Sequence, residues 1–223
     1  MRESNAAAGK SQLNARPPSE NATNRLLGSL PGYGLSASFT AGTGNCFASQ
    51  AGSLCSSADW GHLMILVTGA AGFIGFHVTR RLLDRGEAVI GVDNLNAYYD
   101  PKLKAARLAQ LEGRKGFKFH RIDLAEKTAA GDFFARHPEL TGIVHLAAQA
   151  GVRYSLVDPF AYVDANVTGQ LVVLEACRRL QRLQHLVYAS SSSVYGGNTK
   201  MPFAVDDRVE RPVSIYAATK LAD

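Results

Sequence analysis

Two residues four apart near the end of the 223-residue chain, Tyr216 and Lys220, could do acid–base chemistry together. On a helix, side chains at i and i+4 project from one face. An ammonium beside a phenol stabilises the phenolate, so such a pair can supply a general base near neutral pH. A Tyr-x-x-x-Lys spacing is common by itself and gains meaning from what precedes it. Upstream, Ser190 to Ser193 follow an apolar run and lead into Val194-Tyr195-Gly196. A serine hydroxyl at such a strand end can donate to a substrate oxygen and relay a proton to Tyr216. Further upstream, Gly69, Gly72 and Gly75 recur three apart directly after the apolar run Met64 to Val67. Glycines let the backbone approach a pyrophosphate closely, and a helix opening at that turn offers free N–H groups and its positive dipole end. Asp93 stands eighteen residues beyond Gly75, at the end of a second apolar run from Ala88 to Val92. It is placed to take an adenosine ribose 2′-hydroxyl, which favours NAD over NADP.

The elements that must position these groups alternate from Met64 onward. After the first strand, Phe73, Ile74, Val78, Leu82 and Leu83 share one helix face over Gly72 to Arg85, with Gly86 suited to the C-cap. Asp100-Pro101 suits the N-cap and first turn of a second helix carrying Leu103, Ala106, Leu108 and Leu111. Phe117 to Ile122 alternates as a third strand and closes on Asp123-Leu124. A short helix follows with Phe133 and Phe134 turned inward. Gly142 to Ala148 reads as a fourth strand and His185 to Ala189 as a fifth. Between them a long helix spans about 159–182 and carries Val163, Val167, Leu171, Leu174 and Cys177 on one stripe. A last helix begins near Ser214. Strands separated by helices predict an α/β fold with a Rossmann-like, doubly wound parallel sheet, which binds ligands outside the carboxyl ends of its strands.

Residues 1–63 lack sustained periodicity and are dominated by Ala, Ser, Gly and Asn, so they read as a disordered or non-native extension. No signal-peptide core follows the N-terminus, though a transit peptide would fit the scattered arginines. Met64 stands where the first strand begins and is a candidate natural start. The net charge of +5 is spread along the chain without a Lys/Arg patch, which excludes a duplex binder. No apolar run approaches the roughly 20 residues that span a bilayer. The cysteines, Cys46, Cys55 and Cys177, form neither a Cys-x-x-Cys pair nor a zinc spacing, so no metal site is expected. A reducing, cytoplasmic setting fits that usage.

Taken together, Gly-Ala-Ala-Gly-Phe-Ile-Gly (69–75), His-Leu-Ala-Ala-Gln (145–149), Ser-Val-Tyr-Gly (193–196) and Tyr216-x-x-x-Lys220 resemble the extended short-chain dehydrogenase/reductases, the NAD-dependent epimerases and dehydratases of sugar nucleotides. The stretches 147–155, 190–196, 198–203 and 216–220 are similar to UDP-glucuronate 4-epimerases in particular. The resemblance implies NAD as cofactor and a UDP-sugar as substrate, oxidised transiently at C4 and reduced again with inversion. It implies that Gly69, Gly72, Phe73, Ile74 and Gly75 hold the pyrophosphate, that Asp93 and Asn94 hold the adenosine ribose, and that Asp123 and Leu124 flank the adenine. Leu146, Ala147, Ala148, Gln149 and Asn166 would line the nicotinamide half. Tyr216 would be the base, Lys220 its tuning partner and a ribose ligand, and Ser191 the catalytic hydroxyl; Arg153, Ser191, Ser192 and Ser193 would lie near the sugar. Dehydratases of the family place an Asp-Glu pair where this chain has Ser192 and Ser193, which disfavours that branch. UDP-glucuronate decarboxylase and UDP-galactose 4-epimerase use the same Tyr, Lys and Ser and stay open as alternatives. Family members dimerise through the long helix and the Tyr216 helix. The family holds its sugar largely with a smaller domain beyond the Tyr-x-x-x-Lys helix, and this chain ends three residues past Lys220. Residues 64–223 are therefore expected to be the NAD-binding domain, with the sheet unfinished and the substrate domain missing. The polypeptide as it stands is expected to be inactive as an epimerase, because a general base and a cofactor site alone do not position a substrate; a non-catalytic, NAD-binding polypeptide is the competing expectation.

Overall fold

The computed structural model describes residues 63–223. The expectations for the N-terminal extension fall on residues 1–62, outside the described residues. Strand β1 (Met64–Thr68) lies between β2 (Ala88–Asp93) and β4 (Gly142–His145), with β3 (Phe117–Arg121) and β5 (His185–Tyr188) outside them. Among the described residues these five make one sheet of order β3-β2-β1-β4-β5, and every pairing is parallel. Successive side chains of a strand point to opposite faces. Thus Leu66 joins Ile90, Ile143, Phe133 and Val173 in one core, while Val67 joins Val89, Phe76, Leu83 and Leu111 in the other. Helices α1 (Phe73–Asp84) and α2 (Pro101–Leu111) contribute to the second core; α3 (Lys127–Ala135) and α5 (Gly169–Cys177) contribute to the first. Both faces are covered, as a doubly wound sheet requires.

Local chemistry sets the element boundaries. Asp100 caps α2 by accepting from the Lys102 amide at 2.9 Å, and Ser214 caps α6 (Ile215–Ala222) by accepting from the Ala217 amide at 3.0 Å. Gly86 takes φ +85° just past α1, the left-handed step that ends many helices.

Three expectations need correcting. In α1, Phe73 and Ile74 are exposed and Phe76 is buried in their place. In α2, Leu103 and Ala106 face outward, and the buried positions are Lys104, Leu108 and Leu111. The long helix is shorter and built otherwise: α4 (Pro159–Tyr162), a π-helical segment at Val163–Thr168, then α5, ending at Cys177. Its inner face is Tyr162, Asn166, Gly169, Gln170, Val173 and Ala176, while Val163, Val167, Leu171 and Leu174 look outward. An apolar stripe marks surface that is to be covered but does not say by what. Here the buried face combines the hydrogen-bonded Asn166, the small Gly169, Gln170 with its Nε2 unpartnered, and the core residues Val173 and Ala176. No helix among the described residues is long and apolar enough to cross a membrane.

Candidate active site at the carboxyl edge of the sheet

The chain leaves β1 toward β2 on one side and reaches β4 on the other, and the crevice of such a sheet opens at that reversal. A cleft of about 570 Å³ occupies it. That lies within the range of small-ligand sites, roughly 300–1,000 Å³.

Its floor is the turn after β1. Gly72 N–H donates to the Gly69 carbonyl at 2.9 Å, closing the turn. A Cβ on Gly75 would collide with that same carbonyl oxygen, so the backbone approach itself demands glycine. Helix α1 has neither a side-chain cap nor an acid in its first turn. Its first N–H groups lack intrahelical partners by construction and lie at the cleft. That cradle fits a pyrophosphate.

One end of the cleft is polar and tightly wired. Asp93 Oδ2 accepts from the Ala71 amide at 3.2 Å, and Oδ1 accepts from the Leu95 amide at 2.8 Å. Lys104 Nζ stands 3.4 Å from Oδ1, both side chains buried, and donates to Asn96 Oδ1 at 3.1 Å. Arg107 reaches the Ala71 carbonyl at 3.3 Å with its guanidinium over the Phe73 ring. Asn94 Nδ2 donates to Asp123 Oδ2 at 2.9 Å, joining the ends of β2 and β3. Asp93 keeps room on Oδ2 for one more donor, which suits a ribose hydroxyl.

The other end collects the acid–base groups. The Thr68 hydroxyl, at the end of β1, accepts from the amides of Leu146 and Ala147, each at 3.0 Å. Its two lone pairs are then taken, so its proton goes to His145 Nδ1 at 2.7 Å and the ring proton sits on Nε2. Burial, with the Lys220 charge as a smaller cause, pushes the His145 imidazole down to about 4, so it is neutral at pH 7. Lys220 donates to the Ala189 carbonyl at 3.1 Å and to Asp223 Oδ2 at 2.7 Å. Tyr216 packs edge-on to Tyr162, with ring centroids 6.0 Å apart. Asn166, in the π-helical segment, accepts from the Gln149 amide at 2.8 Å and donates to the Gln149 carbonyl at 3.1 Å and to the Thr219 hydroxyl at 3.0 Å. Thr219 passes its own proton to the Tyr216 carbonyl at 2.9 Å. The long helix, the β4 loop and the Tyr216 helix are thereby held in one register.

The cleft brings together Gly69, Gly72, Phe73, Ile74, Gly75, Asp93, Asn94, Asp123, Leu124, Leu146, Ala147, Ala148, Gln149, Tyr216 and Lys220. It does not include Asn166, whose amide is consumed behind the wall, nor Arg153, Ser191, Ser192 or Ser193. Arg153 is exposed. Ser191 caps the 3₁₀ turn Ser192–Tyr195, accepting from the Ser193 amide at 3.2 Å and hydroxyl at 2.9 Å, which leaves its own proton free. Ser190 lines the cleft instead. Lys104, Arg107, Tyr98 and Tyr99 line it too, without having been singled out from sequence. The Lys104/Arg107 spacing along α2 was the signal available for two of them.

Residues 65–222 match the NAD dependent epimerase/dehydratase family. The chain belongs to that family. Its relatives include the probable UDP-glucuronate 4-epimerase of Rhizobium meliloti, 51% identical over 155 residues, which are 70% of this chain and 45% of that relative. Among solved structures, the UDP-glucuronic acid 4-epimerase of Bacillus cereus in complex with UDP-glucuronic acid and NAD is 34% identical at TM-score 0.65, over 72% of this chain and 49% of that one. The Thermus thermophilus UDP-glucose 4-epimerase in complex with NAD is 37% identical at TM-score 0.60, over 72% and 48%. The chain spans about half the length of the curated relatives it matches.

Proposed function

We propose that residues 64–223 form the NAD-binding domain of an NAD-dependent UDP-sugar 4-epimerase acting on UDP-glucuronate. One observation carries this: a single cleft joins an uncapped helix start and Asp93 at one end to Tyr216 and Lys220 at the other. Its lining suits a dinucleotide that would place its ribose diol on Asp93 and its nicotinamide toward Tyr216. When bound, NAD supplies a hydride acceptor and donor. The protein's part is positional and protonic. The first N–H groups of α1 hold the pyrophosphate. Lys220 stabilises the phenolate of Tyr216 and reaches the nicotinamide ribose. Tyr216 takes the proton from the sugar's 4-hydroxyl and gives it back after C4 inverts. Ser191 stands outside the cleft with its proton unspent in the cap, and its part would be to donate to the oxygen of a sugar bound beyond the dinucleotide. Glucuronate as the sugar is supported by likeness to the Rhizobium and Bacillus proteins. A homodimer through the outward stripe of the long helix and a cytoplasmic setting belong to the same proposal.

Thermal unfolding of the purified chain with and without NAD⁺ tests the cofactor half. A ligand that binds only the folded state at a hundredfold excess over Kd adds about 2.7 kcal/mol. The melting temperature should rise, and Asp93→Ala should abolish the rise. An unchanged melting temperature rules the reading out. A second reading, NAD binding without turnover, is favoured by Arg153, Ser191, Ser192 and Ser193 all lying outside the cleft. Conversion of UDP-glucuronate to its 4-epimer, lost in Tyr216→Phe, decides between the two.

A further inference from the structure

The loop between β2 and α2 does more than carry Asp93. It leaves β2 on one side of β1 and reaches the loop after β4 on the other, crossing the carboxyl end of β1 where the glycine turn lies. The far end of the crossing is one hydrogen bond: the Tyr98 hydroxyl donates to the Ala150 carbonyl at 2.8 Å. The receiving side is built for it. Tyr162, fully buried in α4, shares its one hydroxyl proton between the same Ala150 carbonyl at 2.8 Å and the Gly151 carbonyl at 2.6 Å, fixing where those oxygens stand. Gly151 sits at φ +95°, and a Cβ there would come within 2.9 Å of the Tyr98 hydroxyl oxygen. The near end is anchored by the Leu95 amide on Asp93 and by Lys104 on Asn96. Leu95 itself holds φ +56°, a left-handed backbone that a leucine adopts only where its surroundings impose it. Asn96, Tyr98 and Tyr99 from this loop, and Gln149 and Ala150 from the other, all line the cleft.

We propose that Tyr98 is a positioning residue for cofactor retention: its bond to Ala150 closes a strap over the dinucleotide. This rests on the reading that the cleft holds NAD. A dinucleotide lying along the glycine turn from Asp93 to Tyr216 runs beneath the bridge between the two loops. It leaves when that bridge opens. An epimerase that oxidises and re-reduces one substrate gains from keeping its cofactor through the cycle, and a strap on the slow side of release provides that. The bond is a single neutral one between a half-buried phenol and a backbone carbonyl, so it is weak enough to open for loading.

Tyr98→Phe removes the hydroxyl and keeps the ring against Tyr99 and Tyr154. The 223-residue protein is loaded with NADH and diluted into excess NAD⁺, and the decay of bound-NADH fluorescence gives the release rate. The rate of NADH loading is read in parallel. Release should be about fivefold faster in Tyr98→Phe, the equivalent of one neutral hydrogen bond, and loading faster by a similar factor, because the same bond must open for both. A parent that holds NADH and loses it no faster after the substitution overturns the strap alone. So does faster release without faster loading, which a merely loosened site would produce. A parent that retains no NADH overturns the cofactor reading and the strap with it.

Discussion

His145 shows how much of this cleft is settled by single protons. Its ring accepts from Thr68, and Thr68 in turn holds the first two amides of the loop after β4. A protonated imidazole has no lone pair to accept with, so this arrangement needs the neutral ring. Burial lowers its folded-state value to about 4, against 6.5 ordinarily. Above pH 6.5 both folded and unfolded rings are neutral, and nothing is lost. As pH falls from 6.5 toward 4, the unfolded ring binds a proton that the folded ring refuses, so stability drops. By pH 5 the loss is about 2 kcal/mol. His145→Gln keeps an acceptor near Thr68 but does not titrate. Urea unfolding at pH 7 and pH 5 should therefore lose about 2 kcal/mol less in the variant than in the parent. Residues such as these were only half legible in the sequence. Asp93, Tyr216 and the glycines announce themselves because their chemistry depends on type and spacing. Lys104 does not, since a buried cation carries no hydropathy signal; the Asp93 carboxylate and the Asn96 side chain account for its burial.

Among the elements, the strands and their order of appearance were readable because β1, β2, β4 and β5 are apolar runs and β3 alternates. The ends of β3, β4 and β5 came out one to three residues longer than observed, where a loop continues apolar, as in Leu146-Ala147-Ala148, and those of β1 and β2 one residue shorter. The long helix was read inside out. Hydropathy counts Val163, Val167, Leu171 and Leu174, yet the face that touches the rest of the fold carries Asn166, Gly169 and Gln170. Apolar packing of Val173 and Ala176 holds one end of that face, and the hydrogen bonds of Asn166 hold the other. The π-helical segment, a feature that recurs at functional sites, carries Asn166 where its amide meets Gln149 and Thr219 at once. Asn166→Ala should strand the Gln149 N–H and C=O in a buried setting and cost about 3 kcal/mol in denaturant unfolding. Cofactor binding should weaken with it, because the Tyr216 helix loses its tie to the β4 loop.

At the scale of the whole molecule, two surfaces lie open to solvent among the described residues. The outer edge of β5 pairs with no strand, and Val187 on it is half exposed. The long helix turns its outward stripe to solvent, with Leu171 at 55% exposure. If the stripe is the proposed dimer contact, Leu171→Glu should shift the protein toward monomer in sedimentation velocity without lowering its melting temperature. An unchanged sedimentation coefficient would remove that contact from consideration. The same topology governs how quickly the molecule can assemble. β1 is the centre of the sheet, and its pairing with β2 can begin early. Its other neighbour arrives much later in the chain: the Met64 amide bonds to the Thr141 hydroxyl across 77 residues. Closing that long a loop is an entropic barrier to be crossed before any contact rewards it. During synthesis the first strand and the glycine turn must therefore wait, half assembled and apolar on one flank, until β4 has left the ribosome. For that interval the surface that will hold the ligand is also the one most open to mistaken association.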